Sequence, residues 1–375
     1  MKKKNFIPVY EPRLGGKEQK YVLDCFKTNW ISSLGRYIDK FESRFSKFCG
    51  RKYGIATSNG TTALQLALLV LGVGGGDEVI VPDLTFVASA NAVAYTGAKP
   101  VFVDVDEETW TIDPRKILEK INRRTKAIMA VHLYGHPSDM DAIRKITRRY
   151  RINLIEDAAE AHGALYKGKI VGGLSDLGCF SFYGNKIITT GEGGMIVTNN
   201  LNLARKARFL RDHGMSRQRR YWHRAIGYNF RLTNIQAAIG LAQLEKIEEV
   251  VAEKRKIAHL YNHHLKMIKG LTLPPEASWA KNVYWMYSIL VNPAFGLSRN
   301  KLMAKLKKKG IDTRPFFYPL HKLPPYRKNG KNSERYPVTE RLSPRGLNLP
   351  SSPNLSQAQI KYIAEAVRKI QKGNR

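Results

Sequence analysis

The stretch Tyr53-Gly54-Ile55-Ala56-Thr57-Ser58-Asn59-Gly60-Thr61-Thr62-Ala63-Leu64-Gln65-Leu66-Ala67-Leu68-Leu69-Val70-Leu71 decides the fold class. Tyr53–Ser58 reads as a short apolar strand. From Thr62 to Leu71 the pattern becomes helical, with Leu64, Leu68 and Leu71 on one face. The same alternation follows downstream. Strands are expected at Glu78–Pro82, Pro100–Asp104, Ala127–Leu133 and Asn153–Asp157, and helices at Val87–Tyr95, Pro114–Ile121 and Asp139–Tyr150. Strand–helix alternation of this kind predicts a mostly parallel sheet covered on both faces, the α/β class. Gly72-Val73-Gly74-Gly75-Gly76 follows a helix and precedes a strand, so it reads as a turn and not as a dinucleotide fingerprint.

Beyond residue 160 the rhythm changes. Leu177–Phe182 and Met195–Thr198 read as strands joined by a Gly-rich connection without a helix, a hairpin-like excursion. Asn234–His264 reads as one long helix, with Ile235, Ala238, Leu241, Leu244 and Ile247 at helical spacing. A strand-like run at Tyr284–Val291, a basic amphipathic helix near 298–309 and a last helix near 356–371 complete a smaller α+β unit. The expected division is a large α/β domain over 1–250, including the N-terminal segment, and a smaller α+β domain over 251–375.

The 375 residues are enough for two or three domains and a sizeable core. With 63 Lys+Arg against 31 Asp+Glu, the net charge is +32. This admits an anionic substrate, nucleic acid or acidic lipid and selects none of them. A nucleic-acid-binding protein would be expected to carry an aromatic stripe, zinc spacing or a helix-turn-helix, and none is found. Cys25, Cys49 and Cys179 form no C-x-x-C pair, which argues against a disulfide framework or a zinc site and fits a reducing compartment. The basic start Met1–Asn5 is not followed by an apolar h-region, and no run reaches the length of a membrane span. A cytoplasmic protein is expected.

In an open α/β sheet, ligands sit at the carboxyl ends of the strands. Three stretches there carry chemistry. Ser58–Leu64 places Gly60, Thr61 and Thr62 at a helix N-terminus, which is either an anion seat or an ordinary cap. Ile155–Gly163 places Asp157 at a strand end, either as a cap or as the partner of a buried cation; His162 in the same stretch reads as structural, since no second His stands at ligand spacing. The third is Phe180-Ser181-Phe182-Tyr183-Gly184-Asn185-Lys186-Ile187-Ile188-Thr189-Thr190-Gly191-Glu192-Gly193-Gly194. Here Lys186 stands between a strand and a Gly-rich turn in apolar company. A desolvated amine of lowered pKa can form a Schiff base. A lysine, an acid to keep a pyridine nitrogen protonated, a helix N-terminus for a phosphate and a flat side chain such as Phe86 (core packing being its other reading) are the parts a pyridoxal 5'-phosphate enzyme needs.

These motifs, with Pro82-Asp83-Leu84-Thr85-Phe86-Val87-Ala88 and Gly227-Tyr228-Asn229-Phe230-Arg231-Leu232-Thr233-Asn234, resemble the DegT/DnrJ/EryC1/StrS family of sugar aminotransferases along nearly the whole chain. The resemblance implies a fold-type I aminotransferase acting as a homodimer with shared active sites. By similarity, Lys186 matches the lysine that bonds to the cofactor, and its presence sets the chain apart from the family's dehydratases, which carry His there. Asp157 matches the partner of the pyridine nitrogen, and Thr61, Thr62 and Ser181 match the phosphate cup. Asn229 matches a residue reaching the phosphate from the neighbouring subunit. Glu160 stands where much of the family has Gln, beside the cofactor's 3-hydroxyl.

The implied reaction uses L-glutamate to convert the cofactor to pyridoxamine 5'-phosphate, then aminates C4 of a nucleotide-linked 4-keto-6-deoxy sugar. Glu160 and Phe317–Tyr326 point to GDP-4-keto-6-deoxy-D-mannose as acceptor and GDP-perosamine as product, with a UDP- or dTDP-linked sugar as the alternative. Arg231 is a candidate for substrate phosphate. Tyr318 and His321 are candidates for sugar contacts or members of a second-domain turn. Arg217, Arg219, Arg220 and Arg224 form either an anion-binding or a solvated basic loop.

Overall fold

A computed structural model describes residues 6–216, 218–327 and 334–373; Met1–Asn5 and Arg217 lie outside the described residues. The chain opens with two helices that sequence reading did not anticipate, α1 (Glu18–Lys27) and α2 (Arg36–Phe48). The alternating region then runs β1 (Tyr53–Thr57), α3 (Gly60–Val70), β2 (Glu78–Pro82), α4 (Ala88–Ala94), β3 (Lys99–Val103), α5 (Pro114–Leu118), β4 (Thr125–Val131), α6 (Met140–Tyr150) and β5 (Asn153–Asp157). After the two-residue strands β6 (Leu165–Tyr166) and β7 (Lys169–Ile170) come β8 (Leu177–Ser181), β9 (Gly194–Thr198) and α7 (Leu201–Arg211).

The main sheet has seven strands in the order β1-β9-β8-β5-β4-β2-β3. β2, β3, β4, β5 and β8 are mutually parallel, and β9 pairs antiparallel with both β8 and β1. The pair β8–β9 is therefore part of the central sheet and not an excursion from it. With no helix between them, the chain must return antiparallel. One consequence is functional: the connection 182–193, which carries Lys186, lies at the carboxyl end of β8, beside the corresponding ends of β1, β2, β4 and β5.

Next come α8 (Asn234–Leu244) and α9 (Ile247–Leu265). The expected single helix breaks at Glu245–Lys246. Lys246 departs from helical geometry (φ −117°, ψ 8°). Both residues are held by the N-terminal region: Glu245 by Tyr21, Lys17 and Arg44, and Lys246 by Glu18. Tertiary ion pairs override the local helical period here.

The remaining elements are β10 (Leu271–Thr272), β11 (Ala280–Lys281), β12 (Tyr287–Val291), α10 (Arg299–Lys308), β13 (Arg314–Pro315), α11 (Pro337–Leu342), β14 (Gly346–Leu349) and α12 (Gln357–Lys372). A four-stranded antiparallel sheet, β10-β12-β14-β13, packs with α9, α10 and α12 around Tyr261, Ile289, Leu302, Leu306, Ile360 and Val367. The chain crosses between the two cores more than once. Ile7 bridges Ile311 beside the smaller sheet, whereas Leu320 and Tyr336 return to the core of the large one.

Candidate active site

At the carboxyl ends of β1, β2, β5 and β8 lies a cavity of about 520 Å³. Its wall contains Thr61, Thr62, Phe86, Asp157, Glu160, Ser181 and Lys186, so the fold brings these seven sequence candidates together from four separate stretches.

The N-terminus of α3 forms one end of the cavity. Asn59 caps the helix in a capping box with Thr62, its side chain accepting from the Thr62 N–H at 2.9 Å. The N–H groups of Gly60 and Thr61 are left with no acceptor among the described residues. The cap is present, and it satisfies one donor while leaving two without a partner at the end of the helix that borders the cavity. Glycine matters at position 60, because a Cβ there would sit 2.6 Å from the Ser181 Cβ. Ser181 can approach only a bare backbone.

Strand alternation divides the two acids that end β5. Glu156 faces inward and accepts from His132 Nε2 and the N–H groups of Gly172 and Leu174. Asp157 faces the cavity, accepting from Ser89 Oγ at 2.8 Å and from the Ala159 N–H at 3.2 Å. Burial pushes the Asp157 carboxyl above the usual carboxylate range, against the pull of these donors and of Lys186. A buried carboxylate with few donors is one that a cation facing it would stabilise.

Lys186 is buried. Its Nζ lies 3.8 Å from Glu160 Oε1 and 3.8 Å from the centre of the Trp285 ring. Burial pulls the amine below the ordinary lysine value, while Glu160 and Asp157 oppose the shift. Burial likewise raises Glu160, and Lys186 opposes that. The backbone around the lysine is fixed from distant parts of the chain: the Tyr10 hydroxyl donates to the Lys186 carbonyl at 2.6 Å, and Trp285 Nε1 donates to the Asn185 carbonyl at 2.6 Å. Neither Tyr10, Trp285 nor Ser89 was singled out in the sequence. Each stands far from its partner along the chain, and no local pattern marks it.

Four candidates lie outside the cavity of their own chain. Asn229 is exposed and bridges Asp212. Arg231 is engaged by Asp212 and by Ser33 Oγ. Tyr318 is exposed. His321 donates from Nδ1 to the buried Asp83 at 2.6 Å, and its Nε2 lies 3.3 Å from Glu340. His162 packs among Phe45, Phe180 and Phe182, and burial pulls it down to about 3, so it is a neutral core side chain. Among the described residues no His/Cys/Asp/Glu cluster is arranged to hold a metal, and no helix is long and apolar enough to cross a membrane.

The parts fit pyridoxal phosphate: donors and hydroxyls for a phosphate at one end, a buried acid for a ring nitrogen, and a desolvated amine beside them. Comparison with known proteins gives the same answer. Residues 12–368 match the DegT/DnrJ/EryC1/StrS aminotransferase family. The chain is 48% identical over 365 residues to the GDP-perosamine synthase of Escherichia coli O157:H7, covering 97% of this chain and 98% of that one. The GDP-perosamine synthase of Caulobacter vibrioides gives the same 48% identity, again over 97% of this chain and 98% of its own. Among solved structures, the PLP form of Spr1654 from Streptococcus pneumoniae superposes with a TM-score of 0.92 at 27% identity, covering 99% of this chain and 100% of that one. By a match that spans nearly its whole length, the chain belongs to the DegT/DnrJ/EryC1/StrS aminotransferase family and is a sugar aminotransferase that uses pyridoxal 5'-phosphate.

Proposed function

We propose that this enzyme moves the amino group of L-glutamate to C4 of GDP-4-keto-6-deoxy-D-mannose, giving GDP-perosamine. The observation that carries this reading is near-full-length identity of 43–48% to three GDP-perosamine synthases. The cavity supports it with a catalytic amine and matched acids.

The cofactor, when bound, supplies an electron sink for the charge left as a C–H bond beside nitrogen breaks. The protein supplies the rest. Lys186 is the residue that would hold the cofactor covalently and, once released, would move the proton as base and then as acid, a task suited to an amine of lowered pKa. Asp157 holds a proton on the ring nitrogen by its negative charge. The Gly60 and Thr61 N–H groups, with the Thr61, Thr62 and Ser181 hydroxyls, bind the phosphate. Phe86 would cover the ring, and Glu160, which faces Lys186, would lie on the side of the cofactor's hydroxyl.

Among the described residues that line the cavity of one chain, Lys186 is the single cation. Its ligands bring a cofactor phosphate, glutamate carboxylates and a nucleotide diphosphate. We assign the missing positive charge to a second copy, forming a homodimer in which Asn229 and the Arg219–Arg231 segment approach the neighbour's site. Leu23, Phe26, Trp30, Ile31 and Leu34 are exposed apolar side chains near the chain start that such a dimer would cover. Tyr318 and His321, although outside the cavity of their own chain, remain our candidates for the sugar side, with His321 held by Asp83. The free, buried thiols of Cys25, Cys49 and Cys179 accord with a cytoplasmic enzyme.

The test is an absorbance spectrum of the purified protein before and after glutamate, followed by turnover with GDP-, UDP- and dTDP-4-keto-6-deoxy sugars. The expected results are a yellow band that glutamate bleaches and turnover of the GDP sugar. Lys186→Ala should bind cofactor without the covalent link and lose turnover. A Lys186→Ala enzyme at full rate would remove the catalytic assignment. Turnover of a UDP or dTDP sugar with none of the GDP sugar would remove the acceptor.

A further inference from the structure

Tyr134 has an uncommon backbone for its size. It follows β4 in the turn Leu133–Gly135 with φ +53° and ψ +16°, the left-handed region that non-glycine residues enter only at a cost. Glycine would be cheaper at this position, so a side chain there must do something glycine cannot.

The strain has two visible results. It turns the Tyr134 N–H onto Glu160 Oε2 at 2.7 Å, leaving Glu160 Oε1 to face Lys186. It also buries the ring between the cavity's two aromatic flanks. Tyr134 stacks on Phe317 (5.4 Å between centres, 23° between planes) and lies nearly parallel to Trp285 (6.3 Å, 20°). Its hydroxyl accepts the Phe317 N–H at 3.2 Å. Phe317 in turn meets Phe86 at 5.5 Å, and both line the cavity, with Phe86 half exposed at its edge. One residue therefore holds the carboxylate beside the reactive amine by its backbone and the aromatic wall by its hydroxyl.

We propose that Tyr134 is a positioning residue for the acceptor sugar: its hydroxyl fixes the Phe317 wall over which a nucleotide sugar must lie for its keto carbon to approach Lys186. This rests on the sugar aminotransferase reading above. Glutamate is small enough to react inside that wall. A nucleotide sugar extends across it, so displacement of Phe317 acts on the second half-reaction and not on the first.

Tyr134→Phe separates the roles, because it keeps the N–H to Glu160 and the ring while deleting the hydroxyl. With the Phe317 N–H released from its acceptor the wall is no longer held in place, and the KM for the GDP keto sugar should rise about tenfold, with kcat changed far less. The rate of glutamate bleaching and the pH titration of the bound cofactor's absorbance should stay within twofold of the parent enzyme. Phe317→Leu, which keeps the backbone bond but removes the wall, should raise the same KM, and the double variant should fall well short of the product of the two effects. An unchanged sugar KM in Tyr134→Phe would overturn the proposal. So would equal losses in both half-reactions, or an unchanged KM in Phe317→Leu. Should the parent enzyme itself fail to bleach with glutamate, the underlying reading falls instead, and the two failures are distinguishable.

Discussion

Lys254 offers a quantitative test of how the junction beneath the active site is built. It lies on α9 and is 1% exposed. Its Nζ donates to the Trp285 carbonyl at 2.8 Å and to the Ser351 carbonyl, and lies 5.2 Å from the centre of the Tyr10 ring. Tyr10 and Trp285 are the residues that clamp the backbone of Asn185–Lys186. Two carbonyl acceptors match the two N–H bonds of a neutral amine, and burial pulls Lys254 down from 10.5 to about 7. The sign follows from proton counting. Between about pH 7 and pH 10 the unfolded chain holds a proton on this lysine that the folded chain does not, so stability rises with pH. Each full unit contributes at most about 1.4 kcal/mol, and since the folded amine is half-protonated at pH 7 the gain from pH 7 to pH 9 comes to about 2 kcal/mol.

The informative variant is Lys254→Met, which has no titrating group. Other titrations are shared by both proteins and cancel in the difference. Urea unfolding followed by tryptophan fluorescence at pH 7, 8 and 9, with saturating cofactor, should show the parent gaining about 2 kcal/mol relative to Lys254→Met across that window. At pH 9 the variant should be the weaker protein, because the Trp285 and Ser351 carbonyls are left without a donor, at about 1 kcal/mol or more each. Profiles that run parallel from pH 7 to pH 9 would refute the reasoning and mean that the amine stays charged in the fold.

Two further expectations concern the cofactor end of the cavity. Ser89→Ala removes the 2.8 Å hydrogen bond to Asp157, further favours its protonated form, and should slow glutamate bleaching about tenfold, read by stopped-flow absorbance. Gly194→Ala would press a methyl to 2.2 Å from the Asn59 carbonyl and displace the anion seat, so purified protein should lose most of its bound cofactor. Gly75→Ala is the matching control, since no atom lies within 4 Å of its added methyl, and its cofactor content should be unchanged.

By itself the sequence determined what depends on neighbours a few residues apart. The alternation from Tyr53 to Asp157 specified the strands and helices because side-chain period and helix capping are local properties. It also specified that Thr61, Asp157 and Lys186 stand at strand ends, where α/β sheets bind ligands. The same local logic failed at Glu245–Lys246, where α1 and α2 supply the ion pairs that break a helix, and at β8–β9, whose place inside the sheet depends on β1. Only the tertiary structure decided what surrounds the reactive amine. The hydroxyl on the Lys186 carbonyl comes from 176 residues away and the indole on the Asn185 carbonyl from 100 away. The hydroxyl on the Phe317 N–H comes from 183 residues away. Contacts at such separations leave no period in the chain. They exist only because two cores pack against each other and bring the N-terminal stretch, the β4 turn and the segment before β12 to one lysine.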